Sequence, residues 1–141
     1  MVKWNKKYET GQTDIDQQHQ SLFNYINDLE ACIHEETFEG TRIAIILNFF
    51  QMFCATHFKL EETCMLRTHC PVYQKNKNAH ESFLAYYKKI RVEFDESANK
   101  KALLIRFHEA LIHWLANHIM KIDMYMKQAH QANNQPEVLH T

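Results

Sequence analysis

Ten of the 141 residues are histidine, the side chain most often found on protein-bound metal ions. Several of them fall where a helix would aim them inward. His57 and Glu61 are four residues apart, a rotation of about 40° on an α-helix, so both point the same way one turn apart. They share that stripe with Phe50 and Cys54. An unpaired buried carboxylate costs several kcal/mol, so a glutamate in such a stripe needs a cation. His19 stands four residues before Phe23 and seven before Ile26, and His80 lies on the face of Phe83, Leu84 and Tyr87. His118 follows Leu111 by seven and Trp114 by four, with Asp123 five residues further on. Two carboxylates among imidazoles can bridge two metal ions, and a set without thiolate favours iron or manganese over structural zinc. A five-residue step spans about 140° of an ideal helix, so periodicity alone does not set Asp123 beside His118.

Four helices must carry these residues. Leu22, Phe23, Ile26, Leu29 and Ile33 recur at three- and four-residue steps, predicting a half-buried helix over residues 14–37, capped by Thr13 or Asp14. Gly40 reads as its C-terminal punctuation and Thr41 as the cap of a second helix over 41–64, with Ile43, Ile46, Leu47, Phe50, Cys54, His57 and Glu61 inward. Pro71 marks a break and the first turn of a third helix, which runs to about residue 95 with Ala79, His80, Phe83, Leu84, Tyr87, Ile90 and Phe94 inside. After the polar connection DESANKK, a fourth helix over 100–126 carries Leu103, Leu104, Phe107, Leu111, Trp114 and His118. Short connections between amphipathic helices predict an all-α, antiparallel up-down four-helix bundle over residues 14–127. An irregular N-terminal arm, 1–13, precedes it, and a flexible tail, 128–141, follows.

Composition agrees. Two glycines and two prolines leave little turn chemistry for a β fold. Sixteen basic against seventeen acidic residues, a net charge of −1, provide no basic field for nucleic acid. The longest apolar run, residues 44–50, is too short to span a membrane and contains Asn48, and the polar start MVKWNKKYETG resembles no signal peptide; a cytoplasmic protein is expected. Cys32, Cys54, Cys64 and Cys70 form no CxxC pair and read as buried free thiols. His34, His108, His130 and His140, among polar neighbours, read as solvated, and His113 as a neighbour of Trp114 able to hydrogen-bond near the site.

The order His19, then His57-Phe58-x-x-Glu61-Glu62, then Ala79-His80-Glu81-x-Phe83, then Trp114-Leu115-x-x-His118-Ile119-x-x-x-Asp123, resembles the hemerythrins, particularly the bacterial single-domain members. The opening WNKKYETGQTDIDQQHQSLFNYINDL is similar to their arm and first helix. The resemblance implies a non-haem di-iron centre, bridged by carboxylates and an oxo or hydroxo group, that binds O2 reversibly for storage, transport, scavenging or sensing. It assigns Glu61 and Asp123 as bridges, His19 and His57 to the iron that meets O2, and His80 and His118 to the other iron. Leu22, Phe58, Trp114, Leu115 and Ile119 would line a dry O2 pocket at the first iron. O2 and small anions such as azide are the implied ligands, with a separate protein partner if the chain is a sensor.

One position departs from the family pattern. Where the family has a histidine four residues before His80, this chain has Asn76. Three arrangements are open: Asn76 coordinates, a water or exogenous ligand fills the position, or a neighbour such as His69 or Tyr73 swings in. An open position on the second iron would move the chemistry towards an oxidase or peroxidase, or a nitric-oxide-reactive protein; the other alternative is a degenerate bundle holding one metal or none.

Overall fold

The computed structural model describes residues 1–35, 40–119, 121 and 125. Four helices dominate them: α1, Thr13–Ile33; α2, Gly40–Arg67; α3, Tyr73–Glu96; and α4, Lys100–Trp114. A wider π-type turn, Leu115–Ile119, continues α4, and a single 3-10 turn, Lys6–Tyr8, precedes α1. Each helix packs on its neighbours in sequence and α1 closes the ring on α4, giving the antiparallel four-helix bundle expected from the short connections.

The ends of the helices differ from the expected ones, for local reasons. No side chain caps α1 at its N-cap Gln12. Instead Asp16 Oδ1 accepts from the Thr10 backbone N–H at 2.7 Å and from its hydroxyl at 2.9 Å, while Gly11 turns the chain with φ of 88°. Gly40 begins α2 instead of terminating α1, which stops at Ile33. At the other end of α2 the Cys70 N–H returns to Met65 O at 2.8 Å and the His69 N–H to Leu66 O at 3.2 Å. This is the Schellman pattern, and it places His69 in the left-handed conformation, φ 53°. Pro71 then occupies the second position of a turn closed from Tyr73 N–H to Cys70 O, where its fixed φ is favoured, so α3 starts after it and not on it. Asn99 caps α4 by accepting from the Ala102 N–H.

Two apolar clusters fill the bundle. The larger contains Leu22, Phe23, Phe50, Phe58, Tyr87, Phe107 and Leu115; the smaller joins Ile15, Cys64, Met65 and Cys70. Along α2 the buried side chains run from Phe50 and Cys54 through His57 and Glu61 to Met65, so a polar layer separates the clusters. All four cysteines are free and buried, and burial pushes the Cys54 thiol well up. Among the described residues α2 is the one helix long and apolar enough to cross a membrane by length and composition, which counting uninterrupted apolar runs overlooks. Here its inner stripe packs against α1 and α3 and carries the polar layer.

The arm is pinned to α1. Val2 N–H donates to Asn27 Oδ1 at 3.0 Å and Asn27 Nδ2 returns a bond to Val2 O at 2.9 Å. Trp4 then lies edge-on to Tyr8 and Phe23 and beside His19.

Candidate metal centre

The polar layer draws on all four helices. α1 supplies His19, α2 His57 and Glu61, α3 Asn76 and His80. The π-type turn after α4 supplies half-buried His118; such turns, with one extra residue, are frequent at functional sites. His19, His57, Glu61 and His80 are each no more than 2% exposed, and Asn76 is fully buried.

Glu61 stands at the centre with its two oxygens divided. Oε2 lies 3.1 Å from His19 Nε2 and 3.2 Å from His57 Nε2. Oε1 lies 3.1 Å from His80 Nε2, which is in turn 3.2 Å from His118 Nε2. Two donor groups result, His19–His57–Glu61 and Glu61–His80–His118. Ligand atoms about 2.1 Å from one ion and at right angles to each other are about 3 Å apart, so these spacings suit neighbours around a single ion on each side of the carboxylate.

The outer nitrogens are held as well. His57 Nδ1 is 2.7 Å from Gln18 Oε1, and His80 Nδ1 is 3.0 Å from Glu62 Oε2. A neutral imidazole has one N–H to give. If it goes outward, to Gln18 or Glu62, then Nε2 presents a lone pair to the Glu61 carboxylate. Double protonation would resolve the conflict at His57, but burial lowers its pKa. For Glu61, burial favours the neutral acid, yet hydrogen bonds from His19, His57 and His80 outweigh it and hold the carboxyl well below the usual range. One N–H per neutral ring cannot serve both the outer partner and Glu61, and a cation beside the carboxylate would remove that conflict; the residues fit metal ions.

Aromatic rings cover the imidazoles. Phe58 stacks on His80 at 3.9 Å and Trp114 on His118 at 4.5 Å, while Phe53 stacks on His57 at 5.8 Å. Of the five side chains expected around the first ion, Leu22, Phe58, Leu115 and Ile119 are buried in the larger cluster and Trp114 packs against it. Phe58 and Trp114, however, lie against the second donor group.

The remaining candidates separate clearly. Asp123 lies outside the described residues. His69 is exposed and belongs to neither donor group; its backbone terminates α2. Tyr73 packs on the smaller cluster. Asn76 meets Glu61 through its amide nitrogen, 2.7 Å from Oε1. His34 and His113 are exposed, whereas His108, expected in solvent, is half-buried and 3.9 Å from Glu30. Sequence reading missed Gln18, Glu62, Phe53 and Met65, although Gln18 and Glu62 adjoin ligand candidates and Met65 continues the His57, Glu61 spacing by one turn.

A buried layer of imidazoles and carboxylate contributed by every helix defines a metal-binding four-helix bundle. A family profile for the hemerythrin HHE cation binding domain matches residues 10–129, and the chain belongs to the hemerythrin family. It is 30% identical over 124 residues to proteins named bacteriohemerythrin from Pseudomonas aeruginosa (strain LESB58) and from Pseudomonas paraeruginosa, in each case over 85% of this chain and 75% of the relative.

Proposed function

We propose that the chain holds two iron ions and takes up O2 reversibly. The reading is carried by the division of Glu61, whose Oε2 faces His19 and His57 and whose Oε1 faces His80, with His118 against His80. His19 and His57 would hold one ion and His80 and His118 the other, with Glu61 between them and Asp123 as a second bridge. Neither donor group includes a thiolate among the described residues, which favours iron over structural zinc. Bound there, a ferrous pair supplies the electrons with which O2 is taken up.

The chain's own residues set the conditions for this. Burial keeps His57 and His118 unprotonated while the Glu61 carboxyl stays ionised, the state that binds metal without first losing protons. Gln18 and Glu62 fix the rings of His57 and His80 by holding Nδ1. Leu22, Phe58, Leu115 and Ile119 keep water from the layer, which favours release of O2 over oxidation of the ions. Storage, transport, scavenging and sensing are all compatible with such a site.

Position 76 favours a second reading, turnover of O2, peroxide or nitric oxide at the His80/His118 ion, because an amide stands there in place of an imidazole. Anaerobic loading with ferrous iron separates these readings. Two ions per chain and a visible band that appears with O2 and disappears on purging support the carrier. Consumption of O2 or peroxide with a reductant supports turnover, and one ion or none per chain rules out both.

A further inference from the structure

Asn76 Nδ2 donates to Glu61 Oε1 at 2.7 Å and to Met65 Sδ at 2.9 Å. The two protons of the amide thus meet two acceptors, a carboxylate oxygen and a thioether sulfur. Reversing the amide would set its oxygen against both, with no donor between them. Met65, itself 0% exposed, lies one helical turn beyond Glu61 on α2 and is anchored among Ile15, Cys64 and Cys70. Glu61 and Met65 together set which end of Asn76 faces the centre. The amide oxygen is buried without a hydrogen-bond partner, an arrangement that costs stability.

We propose that Asn76 acts as a hydrogen-bond donor to a small anion bound at the His80/His118 ion, and is not itself a ligand of that ion. The inference rests on the two-ion reading above. An ion in this donor group draws on Oε1, the oxygen that Asn76 now caps, and leaves the amide N–H free to turn to a ligand on the ion. With an amide at position 76, the described residues of this group that would hold the ion are Glu61, His80 and His118, fewer donors than an iron ion takes. Phe58 and Trp114 stack on the two imidazoles, and the Asn76 amide is a buried polar donor beside them. Azide and nitrite have the required chemistry: a compact monoanion, able to bind a metal at one atom and accept a hydrogen bond.

The test is an azide titration of the diferric protein, its visible charge-transfer bands resolved so that azide on the His80/His118 ion is read apart from azide on the His19/His57 ion, with iron per chain measured on the same samples. Asn76→Leu removes the donor and weakens azide about tenfold while two ions stay bound. Asn76→Asp sets a carboxylate against the anion and weakens it further. Met65→Leu removes the acceptor that orients the amide and weakens azide about threefold; it keeps the test intact if the Asn76 variants fail to fold. Unchanged azide affinity in the Asn76 variants, with two ions bound, overturns the proposal and leaves the two-ion reading standing. Loss of one ion in Asn76→Leu shows that Asn76 is a ligand and also overturns it. Fewer than two ions in the unmodified protein removes the two-ion reading, and this inference with it.

Discussion

Glu62 Oε2 lies 3.0 Å from Nδ1 of His80, so the residue next in sequence to the central carboxylate reaches across to α3 and holds an imidazole of the second donor group. The neighbours Glu61 and Glu62 thus grip the same ring from its two nitrogens. Outer partners of this type commonly set metal affinity by a factor of roughly 10–100. Glu62→Ala should lower the affinity of one of the two ions by about that factor and spare the other, as read by competition with a coloured chelator. Equal weakening of both ions would show that Glu62 acts on the whole bundle and not on His80.

Glu61 serves both donor groups, and each histidine only one. Glu61→Ala is therefore expected to weaken both ions by at least about 100-fold, whereas His80→Ala should leave one ion per chain bound. Iron content after gel filtration separates the two. Retention of a full complement by Glu61→Ala would remove the bridge from the account.

Acid should destabilise the metal-free bundle in a defined window. His118 is held down to about 4 and His57 is lowered, both by burial, while an unfolded histidine titrates near about 6.5. Between those values the unfolded chain binds protons that the native one refuses, so stability is fullest above about pH 6.5 and declines towards pH 4. His118 alone accounts for roughly 3 kcal/mol over that range. Below about pH 4.5 Glu61 adds to the loss, because its native carboxylate stays ionised as the unfolded one protonates. Urea midpoints measured from pH 7.5 to 4 should fall steadily; a flat profile would contradict the burial of neutral imidazoles.

Asp16 is expected to matter more than an ordinary first-turn carboxylate. It accepts both the backbone N–H and the hydroxyl of Thr10, which is fully buried. Asp16→Ala leaves the Thr10 N–H unpaired and its hydroxyl with only the longer contact to Gln12 O, and should cost about 1–3 kcal/mol, seen as a lower Tm of the metal-free protein. Asp16→Asn retains an acceptor and should recover part of it.

Added metal should raise Tm in proportion to the logarithm of its free concentration, because ions that bind only the folded bundle stabilise it by mass action. Calorimetric scans at increasing ferrous or cobaltous concentration, kept anaerobic, give the dependence, and a Tm insensitive to metal would mean that the donor groups do not bind under those conditions.

The sequence by itself determined the helices and the residues of the centre, because a 3.6-residue period is local. His57 and Glu61 are bound to share a face whatever they meet, and Phe23 and Phe83 orient His19 and His80 in the same way, whereas His118 is set by the π-type turn. The capping of α1 escaped that reading, since the bond from Thr10 to Asp16 depends on how the arm folds back over Gly11. So did the end of α2, where His69 takes a left-handed conformation more often given to glycine. Only the tertiary structure decided how the donors pair, because each oxygen of Glu61 meets side chains from other helices, 15 to 42 residues away in the chain, whose distances no periodicity contains. The same holds for Asn76. Its place in the sequence marks a missing imidazole, but which end of its amide faces the centre depends on Glu61 and Met65, brought against it by the packing of α2 on α3.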